Sequence, residues 1–312
     1  MDVSVIIVTR DTRELTAKAI RAALAAQGPL AVEILVVDNG STDDTAAALP
    51  REFPQIQLIR SEKNLGFARA VNRAAQPARG EFLLLLNSDA RPEVDALARA
   101  VAWLRANPDA AVAGAQLLNA DGSRQNSIAN FPTLATELLN KSLLRRLWPK
   151  RFPGKEQGFA APVDVETVVG AFMLIRKTDW DAHGGLDERF FFFFEETDFC
   201  LQVRRAGRRV AHLPGVRVWH EQGATAKKVS AAARIEYWRS RYAYFKKNSN
   251  LAVRALLALG LWLRLFVDGG AALLLVTVTL GNSPRWADRW RVFCALRDWH
   301  LRGCPADAGL PR

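Results

Sequence analysis

Two acidic motifs in this sequence have the residue types and surroundings of a site for metal and acid–base chemistry. The first, Asn87-Ser88-Asp89, follows the apolar run 83–86, and the second, Glu195-Glu196-Thr197-Asp198, follows five phenylalanines at 190–194. A carboxylate at the end of a buried strand can hold a hard divalent cation in a fixed direction. Clustered acids beside an aromatic wall can have a pKa raised toward neutrality, as a general base needs. The two motifs together predict a metal-assisted transfer enzyme.

Alternating apolar strands and helices lead up to the first motif. The sequence predicts helices at 11–26, which the possible capping box Asp11-Thr12-Arg13-Glu14 would open, and at 45–49 and 67–75. It predicts buried strands at 3–8, 32–37, 56–59 and 82–86. Alternation at this period is typical of parallel strands joined by right-handed crossovers, so we expect an α/β fold.

Polar breaks follow each predicted strand. In parallel sheets ligands bind beyond the carboxyl ends of the strands, so this edge is the expected binding site. The sequence contains neither a P-loop nor a GxGxxG fingerprint in this half, and nucleotide binding would use other contacts. The breaks lie at Thr9 to Asp11, Asp38 to Ser41, Asn64 to Arg69 and Asn87 to Asp89.

The middle of the chain is less regular. Residues 117–165 contain four prolines, and we expect a loop-rich substrate segment there. Residues 165–176 return to a strand pattern with Gly170-Ala171 at its centre, where small side chains allow a ligand to approach closely. A basic cluster lies in the irregular segment at Lys141, Arg145, Arg146, Lys150 and Arg151.

These motifs, taken in order, resemble family 2 glycosyltransferases, and in particular their rhamnosyltransferase-like branch. The resemblance covers roughly residues 2–225. It implies a GT-A type fold, with a Rossmann-like, mainly parallel sheet flanked by helices. The C-terminal helical, membrane-associating tail that we expect lies outside the resemblance. The matching motifs are Val5-Ile6-Ile7-Val8-Thr9, Val36-Val37-Asp38-Asn39-Gly40-Ser41-Thr42-Asp43, Asn64-Leu65-Gly66-Phe67-Ala68, Leu86-Asn87-Ser88-Asp89, Gly170-Ala171-Phe172 and Glu195-Glu196-Thr197-Asp198-Phe199-Cys200-Leu201.

The resemblance implies a divalent cation, Mg²⁺ or Mn²⁺, held by Asp89. Asp89 matches the last residue of the family's Asp-x-Asp motif, but Asn87 stands at the first position, which removes one anionic ligand. His220 matches a family histidine near the metal and the diphosphate, although a lone histidine is also a common structural residue. A Lewis acid would stabilise the charge that develops on the leaving nucleoside diphosphate.

The resemblance also implies a set of nucleotide-sugar contacts. Two of them have plain structural alternatives, because Asp11 can serve as a helix cap and Arg69 can be a solvated helix arginine. The implied nucleotide-sugar residues are Thr9, Asp11, Asp38, Asn39, Asn64, Gly66, Arg69, Asn87, Ser88, Gly170 and Ala171.

The catalytic residues implied by the match are Glu196, Glu195 and Asp198. Glu196 takes the position of the family's catalytic base, which deprotonates the acceptor hydroxyl and so gives inversion in a single displacement. Three acids within four residues repel one another, and one pKa should rise. The alternative is an acidic helix start, stabilised by the helix dipole.

Charge and hydropathy set the C-terminal region apart. Residues 226–312 carry 15 Lys and Arg against 5 Asp and Glu, which is +10 of the net charge of +11. With its apolar stretch and four tryptophans, this tail favours an anionic membrane surface over nucleic acid. Because Arg264 and Asp268 interrupt the stretch 255–281, we expect an amphipathic or re-entrant segment. A single transmembrane helix, or a soluble hairpin broken near Asp268-Gly269-Gly270, are the alternatives.

The sequence therefore predicts a catalytic domain over 1–225, with a nucleotide-binding half at 1–115 and an acceptor half at 116–225, followed by a basic, Trp-rich helical region at 226–312. Three cysteines without metal-ligand spacing and the absence of a signal sequence indicate the cytoplasm. We expect an inverting, metal-dependent transferase on the inner face of the cytoplasmic membrane. It would move a sugar such as rhamnose from a dTDP- or UDP-sugar to a lipid-linked or polysaccharide acceptor. A sugar nucleotidyltransferase and a non-catalytic membrane- or glycan-binding module are the alternatives.

Overall fold

A computed structural model describes residues 1–153, 158–221 and 230–312, and the chain in it forms two compact units. The first unit contains residues 1–131, 153–191 and 195–222. The second unit contains residues 132–152, 192–194 and 223–312. A stretch in the middle of the chain therefore clusters with the C-terminal helices rather than with the sheet.

The first unit is built around one mixed, mostly parallel sheet. Within the described residues it has nine strands, in the order β3-β2-β1-β4-β10-β6-β11-β5, with β8 paired to β11. The strands are β1 (Val3–Thr9), β2 (Val32–Asn39), β3 (Gln57–Ser61), β4 (Phe82–Asn87), β5 (Ala90–Pro92), β6 (Ala110–Leu118), β8 (Val163–Asp164), β10 (Phe172–Arg176) and β11 (Arg209–His220). A separate pair consists of β7 (Ile128–Ala129) and β9 (Thr167–Val168).

The four strands predicted from the N-terminal pattern pair in parallel, as expected. β1 lies between β2 and β4, and β2 also pairs with β3. β10 then enters antiparallel between β4 and β6, while β11 runs parallel to β6. Because β4, β6 and β11 all run in one direction, their carboxyl ends face the same edge of the sheet as those of β1 and β2.

Both faces of the sheet are buried, which explains the continuous apolar strands. On one face Val5 and Ile7 pack in the cluster that also contains Ile20, and on the other Ile6 packs with Val71. The first-unit helices are α1 (Arg13–Ala25), α2 (Thr45–Glu52), α3 (Phe67–Ala75), α4 (Ala96–Ala106), α7 (Lys177–His183) and α8 (Glu195–Arg205).

The capping-box interpretation of Asp11-Thr12-Arg13-Glu14 is wrong. α1 begins after Thr12, which makes no side-chain hydrogen bond to the helix N-terminus. Asp11 lies before the helix with a φ of 51°, and its carboxylate instead accepts the backbone N–H of Thr42 at 2.7 Å. The acid therefore joins two loops rather than capping its own helix.

The single strand predicted over 165–176 is also wrong. The structure has two strands there, β9 and β10, separated by Gly170-Ala171. β9 pairs with β7 at Thr167↔Ala129, whereas β10 joins the main sheet, so the chain changes partner at the glycine. The small residues predicted inside a strand thus form the crossing between two sheets.

The second unit is helical. Leu257, Leu261, Leu265 and Ala272 are buried along one side of its longest helix. The helices are α5 (Leu134–Leu138), α6 (Lys141–Leu147), α9 (Ser230–Asn248), α10 (Leu251–Val278) and α11 (Pro284–Leu301).

α10 is one continuous helix, so the hairpin break predicted near Asp268-Gly269-Gly270 and the re-entrant form of the segment are both wrong. A side chain at Gly269 would place its Cβ 2.3 Å from the ring of Phe293 in α11. The absence of a side chain at Gly269 therefore allows α10 and α11 to pack closely. The glycine does not end α10. With 28 residues and an apolar composition, α10 is long enough to cross a membrane by those two criteria alone.

The adjacent glycines of α10 give a matched test of this packing. Replacing the exposed Gly270, which has no atom within 4 Å of a built Cβ, by Ala should raise the free energy of unfolding by about 0.5–1 kcal/mol. Gly269→Ala should instead lower it by about 1–3 kcal/mol, because the methyl group overlaps Phe293. Urea unfolding of both variants measures the difference, and changes of the same sign would contradict the close packing.

Candidate active site

The carboxyl ends of the central strands bring the predicted polar residues to one edge of the sheet. Thr9 at the end of β1 pairs in register with Asp38 of β2, and Val8 pairs with Asn87 of β4. The predicted sequence positions thus lie side by side, although they are far apart in the chain. This edge is where ligands bind in sheets of this type.

Asp89 and His220 form the polar pair at the β4–β11 side of the edge. His220 is held opposite Ala90 by the antiparallel pairing of β11 with β5, and the N–H of Glu221 donates to the Asp89 carbonyl at 3.0 Å. His220 Nε2 lies 3.3 Å from Asp89 Oδ1, and the Asn87 side-chain nitrogen lies 3.5 Å from the same Nε2. The long-range pairing of two strands therefore creates the contact.

Gln125 sets the orientation of the His220 ring. Its amide nitrogen donates to the His220 carbonyl at 2.6 Å and to Asn119 Oδ1 at 2.8 Å, which leaves the amide oxygen facing His220 Nδ1 at 3.1 Å. Since that oxygen can only accept, Nδ1 carries a hydrogen. Nε2 is then the nitrogen available on the side of Asp89.

The donor set at Asp89 fits a divalent cation that shares its coordination sphere with substrate. Two ligands at adjacent corners of an octahedron with bonds of about 2.1 Å are about 3 Å apart, close to the separation of Asp89 Oδ1 and His220 Nε2. Among the described residues no cluster of three His, Cys, Asp or Glu side chains suited to a metal is found. Phosphate oxygens and water would supply the remaining ligands, as is common for Mg²⁺.

Gly170 and Ala171 connect this pair to the second acidic motif. The N–H of Asn87 donates to the Ala171 carbonyl at 3.1 Å, one residue before β10 begins. A Cβ built on Gly170 would lie 3.7–3.9 Å from the side chain of Glu196. The two motifs that the sequence separates are therefore bridged by the crossing between the strands.

Glu196 is the carboxylate whose environment suits proton transfer. Burial raises its pKa above the ordinary 4.5, while the N–H groups of Glu196 and Thr197 act in the opposite direction. The rise that we expected from mutual repulsion thus comes from desolvation. Glu195 and Asp198 are buried in the first turn of α8, where the helix dipole favours acids, which agrees with the structural alternative for these two residues.

Thr9 lies in a buried group of hydroxyls. Its Oγ1 is 2.7 Å from that of Thr16 and 2.9 Å from that of Thr12, and Thr12 donates to Ser88 at 3.4 Å. The chain of hydroxyl groups links the end of β1 to the Asn-Ser-Asp motif. Thr9 is therefore positioned to support Ser88 rather than to contact a ligand itself.

Asp38 is buried, and the protein satisfies only part of its carboxylate. Oδ1 accepts the N–H of Ser41 at 3.2 Å, whereas Oδ2 has no hydrogen bond among the described residues and lies 3.9 Å from Arg60 Nε. Buried carboxylate oxygens are normally hydrogen-bonded. Asp38 thus retains an acceptor at the expected nucleoside position, while Asp11 is engaged by Thr42.

Asn64 and Gly66 lie in the turn that follows β3, and Asn39 at the end of β2 bonds to this turn. The Asn39 amide donates to Asn64 Oδ1 at 2.9 Å and accepts the N–H of Leu65 at 2.8 Å. Gly66 has a φ of 80°, and a Cβ there would lie 2.5 Å from the Phe191 carbonyl. The side-chain amides of these predicted ligand residues are therefore used to shape the loop, which leaves the backbone to face a ligand.

The Arg69 side chain is engaged in an ion pair at the surface. It pairs with Glu188 at 3.1 Å on the surface, as the solvated-helix alternative proposed. Sequence reasoning missed both Glu188 and Gln125. For Gln125 the only signal was a glutamine three residues after a turn at Gly122, and nothing local links it to a histidine 95 positions later.

Comparison with known proteins gives a family and a set of relatives. The model of the family described as "Glycosyl transferase family 2" matches residues 4–183, more than half of the chain. An N-acetylglucosaminyl-diphospho-decaprenol L-rhamnosyltransferase of Mycobacterium tuberculosis is 27% identical over 240 residues, which is 71% of this chain and 76% of the relative. Rhamnosyltransferase WbbL of Escherichia coli is 24% identical over 185 residues, covering 59% of this chain and 69% of that protein.

The fold also has counterparts among solved structures. A mannosyltransferase from Pyrobaculum calidifontis, solved with GDP-Man and Mn²⁺, aligns with a TM-score of 0.55 and 19% identity. The alignment covers 96% of this chain and 86% of that chain. At this level of identity the likeness shows a shared fold, and it agrees with the predicted GT-A type sheet.

The raised pKa of Glu196 predicts how its replacement changes stability with pH. Because the folded protein keeps this proton to higher pH than the unfolded chain, stability is lost as the pH rises above the ordinary value of 4.5. Glu196→Gln cannot ionise, so it should melt at a higher temperature than the wild type at pH 7, and the advantage should vanish at pH 4.

Thermal unfolding at the two pH values measures this effect. Glu188→Gln, which removes a surface carboxylate, is the matched control and should show no such pH-dependent gain. A gain for Glu196→Gln that is equal at pH 4 and pH 7 would mean that the carboxylate is not desolvated.

Proposed function

The chain belongs to glycosyl transferase family 2, and we propose that it transfers a sugar with inversion from a nucleoside-diphosphate donor to a hydroxyl of a lipid-linked glycan. The observation that carries this proposal is the bridge at Gly170-Ala171, which brings Glu196 beside the strand end that carries Asn87 and the Asp89–His220 pair. Glu196, as the proton acceptor, then lies close to the sheet edge at which the diphosphate is proposed to bind. The family match and the two rhamnosyltransferase relatives favour glycosyl transfer over the sugar nucleotidyltransferase alternative.

The proposed donor is dTDP-rhamnose, with UDP-sugars as the other candidates. Two relatives carry rhamnosyltransferase names, and this supports a deoxyhexose rather than a specific linkage. Asp38 Oδ2 is buried and has no hydrogen bond within the described part of the chain, so a hydroxyl or N–H of the nucleoside would satisfy it.

The diphosphate would lie at the strand edge near Asp89 and His220. A bound Mg²⁺ or Mn²⁺ would supply Lewis-acid stabilisation of the negative charge on the departing diphosphate. Gln125 keeps the ring of His220 fixed, so that Nε2 and the Asp89 carboxylate face one point. Because this motif has a single Asp, His220 Nε2 would be the second protein ligand of such a cation.

Glu196 would remove the proton of the acceptor hydroxyl. As the hydroxyl oxygen forms its bond to the anomeric carbon, the bond from that carbon to the diphosphate oxygen breaks on the opposite face, and the configuration inverts. A carboxylate with a pKa raised by burial is a stronger base than an exposed one. Gly170 leaves room beside Glu196, because no side chain stands between them.

The proposed acceptor is a sugar on a polyprenyl diphosphate at the inner face of the cytoplasmic membrane. The mycobacterial relative is named for a substrate of this kind. The second unit supports membrane association, since α10 exposes Leu259, Leu263, Phe266 and Leu274 along its length. Such a surface, on a basic unit, suits contact with an anionic bilayer.

Replacing the proposed base should stop transfer without releasing the donor. We expect Glu196→Gln to lose about 10²- to 10⁴-fold in kcat, because general-base catalysis contributes that much, while donor affinity stays at the wild-type value. Transfer from dTDP-rhamnose, with the product anomer read by NMR, and calorimetric donor binding are the measurements. For the wild type, kcat/KM should fall as the pH is lowered through the raised pKa.

Glu188→Gln, a change of the surface carboxylate that pairs with Arg69 of α3, is the control and should retain activity. Full activity of Glu196→Gln, or a product with retained configuration, would refute the assignment of the base. A panel of UDP- and dTDP-sugars in the same assay tests the donor separately.

The role of Gln125 can be read from metal affinity rather than from activity. Gln125→Leu removes the partner that orients His220, and such changes typically weaken metal binding by about 10- to 100-fold. The matched control is Gln116→Leu, because Gln116 is a buried amide that bonds Ser127 and the Gln125 carbonyl but makes no hydrogen bond to His220. Mn²⁺ titration with dTDP present, followed by EPR, measures both, and equal losses in the two variants would contradict the orienting role.

A further inference from the structure

A short segment in the middle of the chain exposes a row of large apolar side chains. Leu139, Leu143, Leu147 and Trp148 are each between 50% and 56% exposed. Leu143 and Leu147 are four residues apart on α6 and share one side of that helix, while Leu139 lies just before its N-cap. Only Leu144 turns inward to the second unit. Solvent-exposed leucines at this spacing form a surface patch rather than scattered single residues.

The same segment is strongly basic. Between Leu138 and Pro153 the sequence has five Lys and Arg and no acidic residue. Among the described residues none of Lys141, Arg145, Arg146 or Lys150 forms an ion pair, so their charge is not compensated within the protein. With this segment the second unit carries a net charge of +14, which leaves −3 for the first unit.

The segment is held in place by buried contacts within the second unit. The Glu137 carboxylate meets Arg241 at 2.9 Å, and its carbonyl accepts from Arg264 of α10 at 3.1 Å. The side chain of Leu138 packs where Gly260 of α10 has none. The Asn140 side chain caps α6 by accepting the N–H groups of Ser142 and Leu143. α5, which directly precedes the segment, is therefore tied to α9 and α10.

This row continues the exposed side of α10. Leu259 and Leu263, which are 69% and 66% exposed, flank the position of Gly260 on the helix, and Leu139 directly follows the residue that packs there. Further along α10 the exposed large apolar residues are Phe266, Val267, Leu273, Leu274 and Val278. Two helices that are distant in sequence thus contribute to one apolar surface.

We propose that residues 139–151 are a second membrane-docking element that binds anionic phospholipid together with α10. Leu143, Leu147 and Trp148 enter the interfacial region, and the Lys and Arg side chains extend from the helix to the lipid phosphates. The segment that the sequence assigned to substrate therefore anchors the enzyme. The inference rests on the membrane association in the proposed function and adds the site and the lipid chemistry that produce it.

Charge complementarity selects the occupant. A protein partner for an apolar row would need an acidic rim, and a nucleic acid would not cover four exposed leucine and tryptophan side chains. An anionic bilayer supplies both the apolar interior and the phosphate layer within one surface. Each basic residue near such a surface contributes about fivefold to partitioning, so even two arginines have a measurable effect.

The test is flotation of the full-length protein with vesicles of two parts phosphatidylcholine to one part phosphatidylglycerol, and with phosphatidylcholine alone. The wild type should float with the anionic vesicles and far less with the neutral ones. Arg145→Gln/Arg146→Gln should weaken partitioning roughly 10- to 30-fold. Leu143→Ser/Leu147→Ser should weaken it by about tenfold or more with both kinds of vesicle.

Two controls separate this surface from a general effect of charge or apolarity. Arg51→Gln/Arg73→Gln removes two exposed arginines from the first unit, and Val94→Ser removes an exposed apolar side chain there. Both should float like the wild type. Wild-type flotation of the 143/147 and 145/146 variants would overturn the proposal, whereas thermal unfolding checks that every variant is folded.

Donor hydrolysis without vesicles distinguishes a failure of membrane docking from a failure of the proposed sugar transfer. If the 145/146 variant hydrolyses dTDP-rhamnose like the wild type but fails to float, the docking surface and the transfer site are both supported and are independent. If neither protein hydrolyses any donor, the proposed transfer is wrong, although the flotation result still decides the docking surface.

Discussion

The antiparallel entry of β10 between β4 and β6 is the constraint on which the site depends. It places the Ala171 carbonyl against the N–H of Asn87, so the chain must cross the sheet edge just where the parallel strands end. Gly170 then stands beside Glu196, and β11 can pair with β6 to deliver His220. Without this strand, Glu196, the proposed proton acceptor, would not be held in a fixed position relative to the Asp89–His220 pair, the proposed metal ligands.

Much of the first half of the sheet could be predicted, because the residue pattern that predicts each strand lies within the strand itself. A run such as Val3 to Thr9, buried on both faces, can form little other than a central strand, and its polar end identifies the binding edge. The limits of prediction appear where a residue's role depends on a distant partner. From the sequence, Gly269 predicts a helix break, whereas in the structure it allows Phe293 to pack closely. The role of Gln125 depends on His220, which β11 places beside it.

Polar residues near the edge illustrate a second limit. A sequence pattern marks Asn39 and Asn64 as available donors and acceptors, but it cannot tell whether the ligand or the backbone will use them. In the structure they satisfy the N–H groups of Leu65 and Gly66, which an irregular turn would otherwise leave without partners. Part of the family motif therefore serves to shape the loop.

Burial also explains how two acids in this protein can suit the different roles proposed for them. Asp89 lies at a strand end, 3.3 Å from a histidine nitrogen, where the proposed cation would share its charge. Glu196 lies beside a glycine and against the core, where ionisation is costly and a proton is held more tightly. A change that opened the space at Gly170 to water would therefore lower the basicity of Glu196 without touching Asp89. The separation of the two roles is a property of the packing, and the acids themselves need not differ.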